Sequence, residues 1–154
     1  MTTLNVEELR SEELVGLRQP VTLELARAIG ARAQQLGEER RLPIAITVRL
    51  TGRTVFQVAL DRSTPLNDVW MKKKIRVSEM FHQSTLLVQA EHAANGEDFF
   101  ERHGGTPDHW FPAGGAVCLR DETLSFRGVL VVSGLPQVDD HLLCREVLSA
   151  FNGR

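Results

Sequence analysis

The segment Val129–His141, VLVVSGLPQVDDH, constrains this chain more than any other stretch. Its opening run, Val129-Leu130-Val131-Val132, is unbroken, apolar and β-branched, which reads as a buried strand. The run stops at Ser133-Gly134. Pro136 follows and fits a first helical position, where the N–H it lacks would have no intrahelical partner. Asp139 and Asp140 then place negative charge near the positive end of the new helix. A dozen residues therefore specify strand, tight turn and helix, with a polar cluster at the junction.

The rest of the chain supplies layers around that unit. Residues 1–20, rich in Glu and Leu, read as a short helix and linker, an extension preceding a single domain over 21–154. Thr22 caps a helix whose Leu25, Ile29, Ala33 and Leu36 share one face, and Gly37 and Pro43 bracket its end. Ile44–Leu50 reads as a strand, Thr51-Gly52 as a tight hairpin turn, and Arg53–Leu60 as the returning strand. Thr64-Pro65 opens a further helix with an expected buried stripe of Leu66, Val69, Trp70, Val77, Met80 and Phe81. A second helical piece runs from Ser84 through Ala94 to Asn95-Gly96. Residues 97–115 carry Gly, Pro and His without periodicity and read as a long loop, a feature usually functional or mobile. Strands over 116–120 and 126–133 and a helix over 137–151, with Leu143, Val147 and Phe151 on one face, close the pattern. Two hairpins imply an antiparallel sheet whose apolar faces the helices must cover, an α+β class.

Composition narrows the functional classes. A net charge of −2 argues against nucleic acid as a constitutive partner, because phosphate binding needs a surplus of Lys and Arg. No apolar run approaches the roughly 20 residues that span a bilayer. The acidic start, Met1-Thr2-Thr3-Leu4-Asn5-Val6-Glu7-Glu8, is unlike a secretory signal, and a cytoplasmic location is expected. Cys118 and Cys144 lack CxxC spacing and are expected to be buried and reduced.

Chemistry concentrates in two places. On the middle helix, spacing puts Lys73 or Lys74 on or beside the buried stripe. Such a lysine either lays its stem over apolar surface or projects into a pocket to meet an anion or act as a base. Asn67 and Asp68 sit in the same helix's first turn, suited to dipole compensation or to a pocket role. Asp140-His141 could be an oriented acid–base pair, but helix neighbours do not face each other, so His141 reads as a cap-region or interface histidine. Ser133 lacks the G-x-S-x-G setting of a nucleophile. The Ser133–Pro136 turn could cradle an anion, yet Asp139 and Asp140 would repel phosphate. His82, His92, His103 and His109 are scattered, without H-E-x-x-H or a Cys/His cluster, so no metal site is expected. His103 and His109 are the most available axial ligands should haem bind.

Asn67-Asp68-Val69-Trp70, Lys73-Lys74, and Gly128–Gln137 with Asp140-His141 resemble the haem-degrading-domain family of GlcG/HbpS-like proteins, in its small stand-alone branch. The resemblance covers about Leu42 to Phe151. It implies a profilin-like sandwich, a central antiparallel sheet flanked by helices on both faces, and assembly into dimers or larger rings. It also implies haem as a cofactor in some relatives and small-molecule pathways in others, with no shared reaction. Two departures stand out. Where relatives carry His-Gly-Gly, then an aromatic and Pro, this chain has Ala113-Gly114-Gly115 and Cys118; and Lys73 replaces an arginine, losing its bidentate fork.

The expectation is an oligomeric small-ligand-binding protein, with haem in view. Its pocket would draw on Asn67, Asp68, Trp70, Lys73, Lys74, Gly114, Gly115, Ser133, Asp140 and His141. Two other classes are weighed. One is a pathway enzyme acting on an organic acid, with Lys74 or Asp68 as its acid–base group; the other is a chaperone-linked or assembly scaffold with Trp70 and His141 at subunit contacts.

Overall fold

The computed structural model describes residues 5–152. Met1–Leu4, part of the segment read as an N-terminal extension, and residues 153 and 154 lie outside it. Four strands, β1 (Ala45–Leu50), β2 (Arg53–Ala59), β3 (Ala116–Arg120) and β4 (Phe126–Ser133), form one antiparallel sheet in the order β2-β1-β4-β3. The helices are α1 (Val6–Glu12), α2 (Leu23–Glu39), α3 (Pro65–Phe81), α4 (Thr85–Ala94), α5 (Phe99–His103) and α6 (Gln137–Ser149). The class is α+β, with helices on both sheet faces, as the element pattern and the family resemblance predict.

Strand alternation sorts the core into two layers. Ile46, Val48, Leu130, Val132, Val117 and Leu119 point to one face and pack with Ile29 and Ala33 of α2 and with Leu143 and Val147 of α6. Ala45, Val129, Val131 and Ala116 point to the other and meet Met71 and Ile75 of α3. β1 and β4 are central strands covered on both faces, which is why they read as near-continuous apolar runs.

The stripe expected on α3 is buried only in part, with Val77 inside and Trp70 and Phe81 half-buried. Leu66, Val69 and Met80 are exposed, at 61%, 45% and 67%, while Met71, Lys74, Val77 and Ser78 face inward. Apolar residues are spread around most of this helix, so their letters alone do not choose a face. Two polar residues take the inner one because each finds a partner there. Lys74 meets Asp140, and the Ser78 hydroxyl donates to the Gln83 carbonyl at 2.7 Å. The stretch 97–115 is not all loop either. Asp98 accepts from the N–H groups of Phe100 and Glu101 and starts α5, a helix too short to show a period.

The first helix packs against α4 through Leu9, which has no exposed surface. Glu13 accepts from Arg120 (2.9 Å) and from the Ser84 N–H (2.8 Å). His141 is not at a cap or an outer surface but wholly buried beneath α1. Its Nε2 donates to Glu12 at 2.8 Å, and its Nδ1 has no partner. Cys118 and Cys144 are buried free thiols.

Candidate functional site

The turn after β4 faces the first half of α3, and a cleft of about 320 Å³ lies between them. That volume sits at the lower end of ligand-sized cavities, roughly 300–1,000 Å³. Leu66, Asn67, Trp70 and Lys74 line it from α3. Ser133, Gly134 and Leu135 line it from the turn, Gln137 and Asp140 from α6, and Ala113 from the segment before β3.

Local sequence places each of these groups. Thr64 and Asn67 form a capping box in which the Asn67 Oδ1 accepts from the Thr64 N–H at 2.8 Å, leaving the Asn67 amide N–H₂ free. Trp70 and Lys74 follow at helical spacing on the same side. At the start of α6, Asp140 folds back onto the turn, and its Oδ1 accepts from the Leu135 N–H at 3.0 Å. The Gln137 carbonyl oxygen accepts from Gln89 at 2.8 Å and from the Gly114 N–H at 3.0 Å, which fixes its amide N–H₂.

The floor of the cleft is a buried ion pair. Lys74 Nζ donates to Asp140 Oδ2 at 3.1 Å and to the Val132 carbonyl at 3.0 Å. Both side chains are nearly inaccessible, at 4% and 3%. Burial pushes the Asp140 carboxyl up to about 6, against the opposing pull of Lys74 and of the Leu135 and Gly134 N–H groups. Gly115 makes the arrangement possible. Its φ of +131° suits glycine, and a Cβ there would lie 2.5 Å from Lys74 Nζ and 2.6 Å from the Val132 carbonyl oxygen.

At the rim, Lys73 lies over the Trp70 ring with Nζ 4.5 Å from its centroid, and Phe111 meets the same ring edge-on at 5.5 Å. The indole is thereby held between a cation and an aromatic edge.

Asn67, Trp70, Lys74, Ser133 and Asp140 thus converge, with Gly114 and Gly115 directly behind and Lys73 at the rim. Asp68 is half-buried and does not line the cleft, and His141 points away under α1. Leu66 and Ala113 also line the cleft and were absent from the site expected from sequence, while Gly134, Leu135 and Gln137 fall within the Ser133–His141 stretch that supplied its other wall. Gln137 was within reach of that reading, since it ends the Ser-Gly-Leu-Pro-Gln string. The four histidines are not all scattered: His92 and His103 come together outside the lining of this cleft. A larger groove of about 930 Å³ lies between α2 and the end of β2, but its charged rim, Glu38, Arg41, Asp61 and Arg62, is exposed and solvated. The smaller cleft is the better candidate because it holds the buried polar groups.

An antiparallel sheet between helices, with a cleft at a strand–turn–helix junction, defines an α+β sandwich domain. The chain belongs to the family described as haem-degrading protein HbpS-like, whose model matches residues 21–149. A UPF0303 protein of Streptomyces avermitilis is 37% identical over 149 residues, covering 97% of this chain and 91% of its own. The crystal structure of the Ybr137w protein superposes with a TM-score of 0.87 at 24% identity, covering 98% of this chain and 90% of that one. The crystal structure of a PduOC:heme complex superposes with a TM-score of 0.69 at 14% identity, covering 86% and 95%. At these identities the two structures establish a shared fold. Among the described residues no helix is long and apolar enough to cross a membrane.

Proposed function

We propose that this protein binds a small ligand in the Trp70–Lys74–Asp140 cleft, a molecule with a flat apolar body and one oxygen acceptor. The observation that carries the reading is the lysine at the cleft floor. Its ammonium has three N–H groups and two protein acceptors, Val132 and Asp140, so one donor remains for a ligand oxygen. The Trp70 ring and the side chains of Leu66 and Leu135 supply apolar walls, and the free amide N–H₂ groups of Asn67 and Gln137 supply further donors. The lysine and aspartate charges cancel, so the cleft favours a neutral or singly charged ligand over a multiply charged one.

Haem fits this cleft poorly. Haem iron needs an axial ligand, and the lining contains no His, Cys, Met or Tyr. Ala113, in the register where relatives carry histidine, lines the cleft with a methyl group. The other reading weighed, acid–base catalysis on an organic acid, lacks a free base: Asp68 is off the lining and Lys74 is paired. The protein is also read as a homo-oligomer, supported by the exposed Leu66, Val69 and Met80 on α3.

A thermal-shift panel of aromatic monocarboxylates and amides tests the ligand reading. At about 100 times its dissociation constant, a ligand adds about 2.7 kcal/mol to wild-type stability. Trp70→Ala should abolish that gain. A panel in which no compound stabilises the wild type, or stabilises Trp70→Ala equally, overturns the reading. Haemin titration is the companion measurement, with any Soret shift expected to be the same in Trp70→Ala as in the wild type, because no axial ligand lines this cleft.

A further inference from the structure

Outside the cleft, α4 and α5 bring two histidines into direct contact. His92 Nε2 and His103 Nε2 stand 2.8 Å apart. His92 Nδ1 is 2.7 Å from the Val88 carbonyl oxygen, which can only accept, so the ring proton is on Nδ1. The His92 Nε2 lone pair is therefore bare, and His103 Nε2–H donates to it. A backbone carbonyl that fixes the far nitrogen is also what orients a metal-ligating imidazole and raises its basicity. Both rings are steadied by aromatics: Phe99 lies 5.4 Å from His92 and 5.2 Å from His103, and Phe81 lies 4.7 Å from His103.

We infer that His92 and His103 form an open surface site for a divalent transition-metal ion of the kind that seeks imidazole, Cu²⁺ or Zn²⁺. The distances permit it with little movement. Two imidazole nitrogens on one tetrahedral ion at roughly 2.0–2.1 Å each stand about 3.3 Å apart, so the pair opens by about half an ångström. His103 can make that adjustment, being exposed near the end of a five-residue helix that stops at Gly104. On binding, the His103 ring proton shifts from Nε2 to Nδ1 and no bond to the protein is lost except the one between the two rings. Arg102 is paired with Glu97 at 2.9 Å. Among the described residues no third His, Cys, Asp or Glu joins the pair, so the remaining coordination positions belong to water. Such a site suits a cation held loosely and exchangeably.

The test uses untagged protein and the metal ions alone. Zn²⁺ is followed by calorimetry and Cu²⁺ by quenching of tryptophan fluorescence, Trp110 being stacked on Phe81 at 6.0 Å and so next to the site. The expected result is one equivalent bound. His92→Ala and His103→Ala should each weaken it by about tenfold or more, since even loss of an outer partner of a ligating histidine costs about that much. His103→Gln serves as the variant that keeps a polar side chain on α5, and His109→Ala as the control that leaves binding unchanged. A wild type that fails to saturate, or His103→Ala and His103→Gln proteins that bind as the wild type does, overturns the assignment. None of these outcomes depends on what occupies the Trp70 cleft.

Discussion

The Lys74–Asp140 pair gives the sharpest prediction. At 3.1 Å, with an effective dielectric near 20, two unit charges attract by about 5 kcal/mol. Much of that offsets the cost of taking both ions out of water, so the pair as a whole contributes little. Removing one partner is different, because it leaves the other charge buried and uncompensated. Asp140→Asn keeps an oxygen for the Leu135 N–H but presents an amide to the ammonium. Lys74→Met keeps chain length but leaves the carboxylate and the Val132 carbonyl without their donor. Asp140→Asn should cost less, because folding already favours the uncharged form of this carboxyl, whereas Lys74→Met, which strands a buried carboxylate, should cost about 3–5 kcal/mol at pH 7.5. For a chain of this length that lowers the melting temperature by roughly 10 °C. The double variant Lys74→Met/Asp140→Asn should cost far less than the sum, giving a coupling energy of about 2 kcal/mol or more in the cycle. Urea denaturation at fixed protein concentration, with all four proteins compared at equal slopes, reads these values. A Lys74→Met cost below about 1 kcal/mol, or strict additivity, would show that the pair is solvated and refute the argument from burial.

Other outcomes follow from the same geometry. The Asp140 carboxyl should titrate near 6 by carbon-detected NMR, well above its ordinary 3.8. Because folding raises this value, its contribution to stability is fully present below the ordinary value and is lost as pH rises through about 6. Protonation also leaves Lys74 as an unbalanced cation, so a carboxylate ligand that stays ionised should bind more tightly at pH 5 than at pH 7.5 by titration calorimetry. Leu9→Ala should cost about 2–5 kcal/mol, as for other fully buried leucines, and release α1. Faster tryptic cleavage in the linker at Arg18 would report that release, and an unchanged rate would place the anchoring of α1 in its ion pairs.

Much of the fold was legible because its signals are local. Val129–Val132 and Ile44–Leu50 read as buried strands, and they are the two central ones, covered on both faces. Thr22, Thr64 and Ser84 read as helix starts, and each occupies an N-cap. What failed depended on partners distant in sequence. Nothing near Lys74 announces that Asp140 will stand 3.1 Å away, so an inward-facing lysine and an outward-facing Leu66 could not be sorted. His141 read as a cap-region or interface histidine because the helix that covers it comes from the opposite end of the chain. His92 and His103 meet only because α5 forms, and five residues are too few to show a helical period. The candidate site was half-visible: its α3 wall and its turn were named, while Leu66 and Ala113 entered with the folded chain.

Gly115 makes the history of this site directional. The Lys74 ammonium, as it sits against Asp140, takes the space a β-carbon at 115 would need, so the pair in its present place presupposes glycine there. The reverse freedom does not exist. Losing the lysine would not release the glycine, because the Val132 carbonyl and the positive φ still exclude a side chain. A lineage that carries the lysine must therefore carry the glycine, and one that sheds the lysine keeps the glycine. Descendants that have given up the charge should still carry the glycine, because the backbone at 115 continues to exclude a side chain.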